Sequence, residues 1–145
     1  AKTDTPLALV TNDDGIESPG IGELARAAVR AGLRVVVAAP LGEMSGASAA
    51  LTVVQTEGRV PLERRELPGL DGVPAFAMPA APAMITILAM RGAFGETPSV
   101  VLSGINRGAN WGWMVMHSGT LGAALTGARL GARSLAVSLC SRSSE

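Results

Sequence analysis

Two short apolar segments, separated by a stretch with helical spacing, most constrain how this chain folds. Leu7–Thr11 is apolar and ends in polar turn residues, as buried parallel strands do, and Arg34–Ala38 repeats this pattern before Pro40. Between them, Ser18-Pro19 is typical of a helix start, and Gly32 marks the end of that helix. A strand, a helix and a strand in close succession predict a right-handed βαβ unit.

The rest of the chain continues the alternation of strands and helices. A charged stretch with several Pro and Gly residues, Thr56–Gly72, predicts an exposed excursion. Because strands alternate with helices, we expect an open α/β sheet with helices on both faces, in a single domain over residues 1–145. The other predicted elements are a loop at Leu41–Ala50, strands at Leu51–Gln55, Val73–Met78, Ser99–Leu102 and Ser134–Leu139, and helices at Ala80–Met90 and Thr120–Leu130.

Helix Ala80–Met90 is apolar on every side, so we expect a sheet or another subunit to cover it. This feature, together with the zero formal net charge of the chain, suggests a homo-oligomer.

Composition and charge exclude several classes of function. The chain has 145 residues, of which 48% are hydrophobic, and its basic and acidic residues cancel. It therefore lacks the basic field that holds nucleic-acid polymers. No apolar run approaches the ~20 residues that a membrane helix needs, so we expect no membrane partner. With Cys140 as the single cysteine and no visible targeting segment, the sequence predicts a cytoplasmic protein.

Polar, glycine-rich loops follow the strongest predicted strands or precede the last helix. In open α/β sheets, ligands bind outside the carboxyl ends of the strands. These loops therefore converge on one edge of the sheet, which is the predicted functional site. They are Asn12–Gly15, Ser45–Ser48, Ser103–Asn110 and His117–Thr120.

Asp13 and Asp14 stand side by side at the end of the first strand. Neighbouring side chains of a strand point to opposite faces, so both carboxylates approach one point only if the chain turns there, as Gly15 permits. Two carboxylates held close together repel unless a cation lies between them, and Mg²⁺ or Mn²⁺ suits such oxygen ligands. The alternative is that Asp13 caps the following helix and Asp14 is solvated, although Ser18 already supplies a cap.

Two further loops have the composition of anion sites. In Ser103-Gly104 and in Ser118-Gly119-Thr120, small residues let backbone N–H groups approach a phosphate. A helix beginning near Thr120 adds its positive end. The alternative for the second loop is an ordinary turn with a helix cap. No dinucleotide fingerprint follows the first strand, and no phosphate-binding P-loop occurs, since the only lysine is Lys2.

Taken in order, these segments resemble the SurE family, the stationary-phase survival proteins with metal-dependent nucleotidase and phosphatase activity. The similarity is densest at Val10–Gly20, Ala38–Thr52 and Val101–Leu139. It implies a Rossmann-like, three-layer α/β/α fold with a mostly parallel sheet. It also implies dimers or tetramers that form through a C-terminal extension. Because the chain stops soon after Leu139, residues 1–145 are expected to be the N-terminal core of a longer family fold.

The resemblance also implies a catalytic site for phosphate monoesters such as nucleoside 5'- or 3'-monophosphates. One Mg²⁺ or Mn²⁺ ion per subunit would be held by Asp13, Asp14, Ser45 and Asn106, with Asp13 or Asp14 acting as base. His117 is a candidate general acid, and the alternative is a packing or surface histidine. The expected phosphate-binding residues are Asn12, Gly46, Ser103, Gly104, Ser118, Gly119 and Thr120.

The chain departs from the family pattern around this expected cation site. Met44, Ala81, Trp113 and Met114 stand where polar or acidic residues are usual. An alternative hypothesis is therefore a domain that has lost turnover and binds nucleotides, phosphate or a partner. A third hypothesis is an unrelated phospho-sugar enzyme on the same kind of sheet.

Overall fold

The strands of this chain form one six-stranded sheet in the order β3-β4-β2-β1-β5-β6. The computed structural model describes residues 4–42, 57–108, 112 and 118–140. All described pairings are parallel except β3 with β4. The strands are β1 (Leu7–Thr11), β2 (Arg34–Pro40), β3 (Glu63–Arg65), β4 (Ala75–Met78), β5 (Val100–Asn106) and β6 (Arg133–Ser138), and the helices are α1 (Pro19–Arg30), α2 (Pro82–Met90) and α3 (Gly119–Arg129).

Helix α1 covers one face of the sheet, and α2 and α3 cover the other. Ser18 occupies the N-cap position of α1 and Pro19 is its first residue, as the sequence predicts. The expected hydroxyl cap is wrong, because the buried Ser18 hydroxyl forms no hydrogen bond within the described part of the chain. The α1 face contributes alternate strand residues such as Ala8, Val10 and Val37, and the opposite face contributes Leu9, Val36 and Val101. Period-two alternation thus supplies both cores, and the expected three-layer α/β/α fold is confirmed.

The apolar helix α2 packs against the sheet and α3. Ala83, Ile85 and Ala89 are buried, and Met84 and Leu88 pack at the margin of the same cluster. The sheet therefore covers one side of this helix, as expected. The sequence predicts its start at Ala80, whereas the structure begins it at Pro82, after the extended residue Ala81. The prediction of a homo-oligomer stays a prediction.

The main correction concerns the charged segment Thr56–Gly72, which the sequence predicts to be an exposed excursion. It contains β3, whose three residues pair antiparallel with β4 at the edge of the sheet. A strand of sequence Glu-Arg-Arg has no apolar alternation to reveal it, and charged residues are common on edge strands. The expected strand Leu51–Gln55 and most of the expected loop Leu41–Ala50 lie outside the described residues.

The order of the strands creates a crevice between β1 and β5. The chain leaves β1 through α1 toward β2 on one side, whereas β5 lies on the other side of β1 and connects through α3 to β6. This reversal is the point where ligands bind in open α/β sheets. Thr11 of β1 lies opposite Ser103 of β5 in the register, so the segments that follow these residues share the crevice.

Candidate functional site

The side chain of Asn12 closes the turn that carries the paired carboxylates. Its amide nitrogen donates to the Gly15 carbonyl at 2.9 Å, and the Gly15 N–H donates back to its amide oxygen at 3.1 Å. Asn12 is fully buried, and Gly15 has a φ of +103°, which only glycine adopts without strain. Both ends of the amide thus hold the chain as it leaves β1. The expected phosphate contact of Asn12 stays a prediction.

Asp13 lies against the first turn of α3. The Thr120 hydroxyl donates a hydrogen bond of 3.0 Å to its Oδ1 atom. A Cβ atom added to Gly119 would stand only 2.9 Å from the Asp13 Cβ. Asp13 is 4% exposed, so its carboxylate is held at the positive end of α3 and largely away from bulk water.

Asp14 is joined to the end of β5. Its Oδ2 atom accepts a hydrogen bond of 3.1 Å from the backbone N–H of Arg107. Arg107 follows Asn106 directly, and the Asn106 amide nitrogen donates to the Gly108 carbonyl at 3.1 Å. The structure therefore brings the neighbourhood of Asn106 to the paired carboxylates, across 93 positions of the chain.

Two glycines allow the end of β5 to reach this position. Gly20 of α1 packs against the Ile105 carbonyl so closely that an added Cβ would overlap it. Gly104 packs in the same way against the Val137 carbonyl, at an irregularity in the pairing of β5 with β6. A side chain at either position would displace the backbone that carries Asn106.

The α3 loop is a helix cap as well as a candidate anion site. The Ser118 side chain accepts a hydrogen bond of 3.1 Å from the Leu121 N–H and so forms the N-cap. Ser118 and Thr120 are both buried, with 5% and 0% of their surface exposed. The cap that the sequence left as an alternative is present, and it sits beside Asp13.

Thr11 of β1 and Ser103 of β5 carry two further buried hydroxyl groups. The two residues are partners on neighbouring strands, and both are fully buried. Within the described part of the chain, neither hydroxyl forms a hydrogen bond. The strand alternation hid Thr11 from sequence reasoning, because it has the size of valine and stands at an apolar position.

An ion pair ties the segment after the carboxylates to the edge of the sheet. Arg65 of β3 lies 3.0 Å from Glu17 and 2.9 Å from Glu63. Hydrogen bonds to Glu63 and then to Glu17 raise the pKa of Arg65 above its ordinary value, so it stays charged. Arg65 and Ser18 also line a cavity of about 350 Å³ beside α1, whose lining includes neither Asp13 nor Asp14.

The donor atoms at this edge suit a hard divalent cation. Asp13 and Asp14 supply carboxylate oxygens and Asn106 an amide oxygen, and two adjacent acids at the end of a buried strand favour a neutralising ion. Over the described ranges, no three His, Cys, Asp or Glu side chains group as metal ligands, so the amide and hydroxyl oxygens would have to complete the set. The expected ligand Ser45, the phosphate contact Gly46 and the candidate acid His117 lie outside the described residues.

An open, mostly parallel sheet with a carboxylate pair at its crossover point places the chain among the Rossmann-like α/β proteins. The family model described as Survival protein SurE matches residues 8–145, and the chain belongs to the SurE family.

Similar curated proteins carry the name 5'-nucleotidase SurE. The protein of Moorella thermoacetica is 45% identical over 134 residues, which are 92% of this chain and 49% of that protein. The protein of Symbiobacterium thermophilum is 43% identical over 139 residues, 95% of this chain and 53% of that protein. The protein of Xanthomonas campestris is 41% identical over 137 residues, which are 94% of this chain and 49% of that protein. This chain therefore spans about half the length of these relatives.

A solved structure has the same fold. The crystal structure of the SurE protein from Aquifex aeolicus matches with a TM-score of 0.74 and 36% sequence identity, and the match covers 96% of this chain and 53% of that one. In the described ranges of the present chain, none of the helices is both long and apolar enough to span a membrane.

Proposed function

We propose that this chain carries the catalytic site of a divalent-cation-dependent phosphomonoester hydrolase that acts on nucleoside monophosphates. The observation that supports it most directly is the link between the Asp14 carboxylate and the N–H after Asn106. It joins one carboxylate of the pair to the residue that directly follows Asn106, the expected amide ligand. The names of the relatives, 5'-nucleotidase SurE, supply the reaction class.

The expected cation is Mg²⁺ or Mn²⁺, held by Asp13, Asp14 and Asn106 together with Ser45. When bound, such a cation supplies positive charge that favours ionised water and offsets negative charge on a phosphoryl group. Asp13 is anchored by Thr120 and Asp14 by the Arg107 N–H, so both carboxylates are held in place before the cation binds. Such preorganisation avoids rearrangement when the reaction occurs.

The two carboxylates differ in exposure, and this difference suggests separate tasks. Asp13 is buried, whereas Asp14 is partly exposed. In the proposed reaction Asp14 accepts the proton of the attacking water, which forms a bond to phosphorus as the bond to the ester oxygen breaks. Asp13, shielded from solvent, serves as a ligand only.

The phosphate of the substrate lies at the start of α3 in this proposal. The first backbone N–H groups of a helix have no partner within the helix and form a favourable anion site, here at Gly119 and Thr120. Because both ends of the Asn12 amide bind Gly15, the expected phosphate contact of Asn12 would have to come from its backbone. Gly46 remains an expected phosphate contact, and His117 remains the candidate general acid that would protonate the leaving ester oxygen.

A phosphate-release assay tests the proposal. Nucleoside 5'- and 3'-monophosphates and sugar phosphates are supplied with Mn²⁺, with Mg²⁺ or with a chelator, and inorganic phosphate is measured. We expect release from the nucleotides with either ion, and loss of at least about 100-fold in kcat in Asp14→Asn. The matched control is Asp71→Asn, which removes an exposed carboxylate in the segment between β3 and β4. Full activity of Asp14→Asn, or equal activity with chelator, contradicts the proposal.

A further inference from the structure

Thr120 is fully buried at the start of α3, and its hydroxyl faces Asp13. The expected role of this residue is to contact phosphate. Its side chain does something else in the structure: it donates a hydrogen bond of 3.0 Å to Asp13 Oδ1.

The hydrogen bond to Asp13 occupies the only proton of this hydroxyl. A threonine hydroxyl has one donor hydrogen, and an ionised carboxylate only accepts. While Asp13 is ionised, Thr120 therefore has no side-chain proton to offer a phosphate oxygen. Its backbone N–H, which belongs to the helix start, is unaffected by this bond.

The same turn of α3 restricts Asp13 from a second direction. The Gly119 backbone lies so close that an added Cβ would stand 2.9 Å from Asp13 Cβ and 3.3 Å from Asp13 Oδ2. One carboxylate oxygen thus binds the hydroxyl, and the other lies beside the Gly119 backbone. Both oxygens of the Asp13 carboxylate thus lie close to the first turn of α3.

We propose that Thr120 is a positioning residue for the cation site, whose hydroxyl holds the Asp13 carboxylate in the orientation that binds a divalent ion. The inference rests on one part of the proposed function, namely that Asp13 is a cation ligand, and not on the hydrolysis of a phosphate ester. Groups that orient metal ligands in this way typically contribute about 10–100-fold to metal affinity. A charge-assisted hydrogen bond in a buried setting is the strong form of such an interaction.

A calorimetric titration of the chain with Mn²⁺ alone tests the inference without substrate. Thr120→Val keeps the shape of the side chain and removes the hydroxyl, and we expect Mn²⁺ to bind about 10-fold more weakly or worse. Thr120→Ser restores the hydroxyl and is expected to bind within about threefold of the unaltered chain. The matched control on the same helix is Thr126→Val. The Thr126 hydroxyl that this variant removes donates to the Gly122 carbonyl at 2.7 Å. The variant is expected to leave Mn²⁺ affinity unchanged.

Mn²⁺ affinity of Thr120→Val equal to that of the unaltered chain overturns the inference, even where phosphate release proceeds. Loss of affinity in both Thr120→Val and Thr126→Val overturns it as well, because the effect is then one of helix stability. Hydroxyl-dependent Mn²⁺ binding without any phosphate release supports the inference and overturns the proposed function. Absence of Mn²⁺ binding by the unaltered chain overturns both. If Thr120→Val does not fold, the comparison of Thr120→Ala with Thr120→Ser gives the same decision.

Discussion

Gly20, in the first turn of α1, packs directly on the backbone carbonyl of Ile105, one residue before Asn106. The helix that follows the carboxylate pair is thereby in contact with the strand end that carries the amide. This contact fixes the distance between the two halves of the candidate site.

Gly20→Ala is expected to lower both stability and activity. The new methyl group overlaps a backbone atom that no rotamer change can move, so α1 or the end of β5 must shift. Overpacking of this kind costs roughly 1–3 kcal/mol of unfolding free energy. Gly22→Ala is the matched control on the same helix, since its Cβ would meet only the end of the Arg26 side chain, at 3.2 Å. A lower free energy of unfolding in urea for Gly22→Ala than for Gly20→Ala would contradict this expectation.

Asn12→Ala is expected to destabilise the chain by about 2–3 kcal/mol, because it removes two hydrogen bonds from a fully buried turn. Thermal and urea unfolding measure the change. Asn12→Asp keeps the acceptor for the Gly15 N–H but removes the donor to the Gly15 carbonyl. Its stability is therefore expected to lie between that of the unaltered chain and that of Asn12→Ala. An Asn12→Ala variant as stable as the unaltered chain would show that the turn forms without the amide.

Thr11→Val is expected to stabilise the chain, by roughly 1 kcal/mol. The substitution keeps the shape of the side chain and removes a buried hydroxyl that binds nothing in the described part of the structure. The control is Thr86→Val in α2, which loses a hydrogen bond of 2.9 Å to the Pro82 carbonyl and is expected to destabilise. A loss of stability in Thr11→Val would instead indicate an internal water bound to Thr11 and Ser103.

Mn²⁺ or Mg²⁺ is expected to raise the unfolding temperature of the unaltered chain, since an ion that binds only the folded state stabilises it. At a concentration about 100 times the dissociation constant the gain is about 2.7 kcal/mol. Scanning fluorimetry with and without chelator measures the shift. The double variant Asp13→Asn, Asp14→Asn should lose most of it, whereas Asp71→Asn should keep it. An equal shift in all three proteins would place the ion elsewhere.

Much of the fold was predictable because its strands are short apolar segments that end in Gly, Pro or polar turns. The predicted strand Leu7–Thr11 coincides with the observed one, and α1 begins at the proline that the sequence marks. β5 extends beyond the predicted Leu102 to Asn106, because the polar residues Ser103 and Asn106 both pair with β6, across an irregularity between them. β3 escaped prediction since charged edge strands carry no apolar alternation.

The candidate site was predictable as a set of loops but not as a set of contacts. Sequence order places Asp13, Asp14 and Asn106 at the ends of parallel strands, and such ends meet at one edge. The hydrogen bond from Thr120 to Asp13 depends on how α3 packs on the sheet, which no local pattern encodes. The closure of the turn by Asn12 and the contact of Gly20 with Ile105 depend likewise on three-dimensional packing.

The hydrogen bond between Asp13 and Thr120 spans 107 positions, and that between Asp14 and Arg107 spans 93. During synthesis Asp14 leaves the ribosome 93 residues before Arg107, and Asp13 leaves it 107 residues before Thr120. Contacts between such distant segments form slowly, because the entropy cost of closing a long loop comes before any of these contacts adds stability. A divalent ion that recognises the completed arrangement would therefore report on the last stage of folding rather than on an early intermediate.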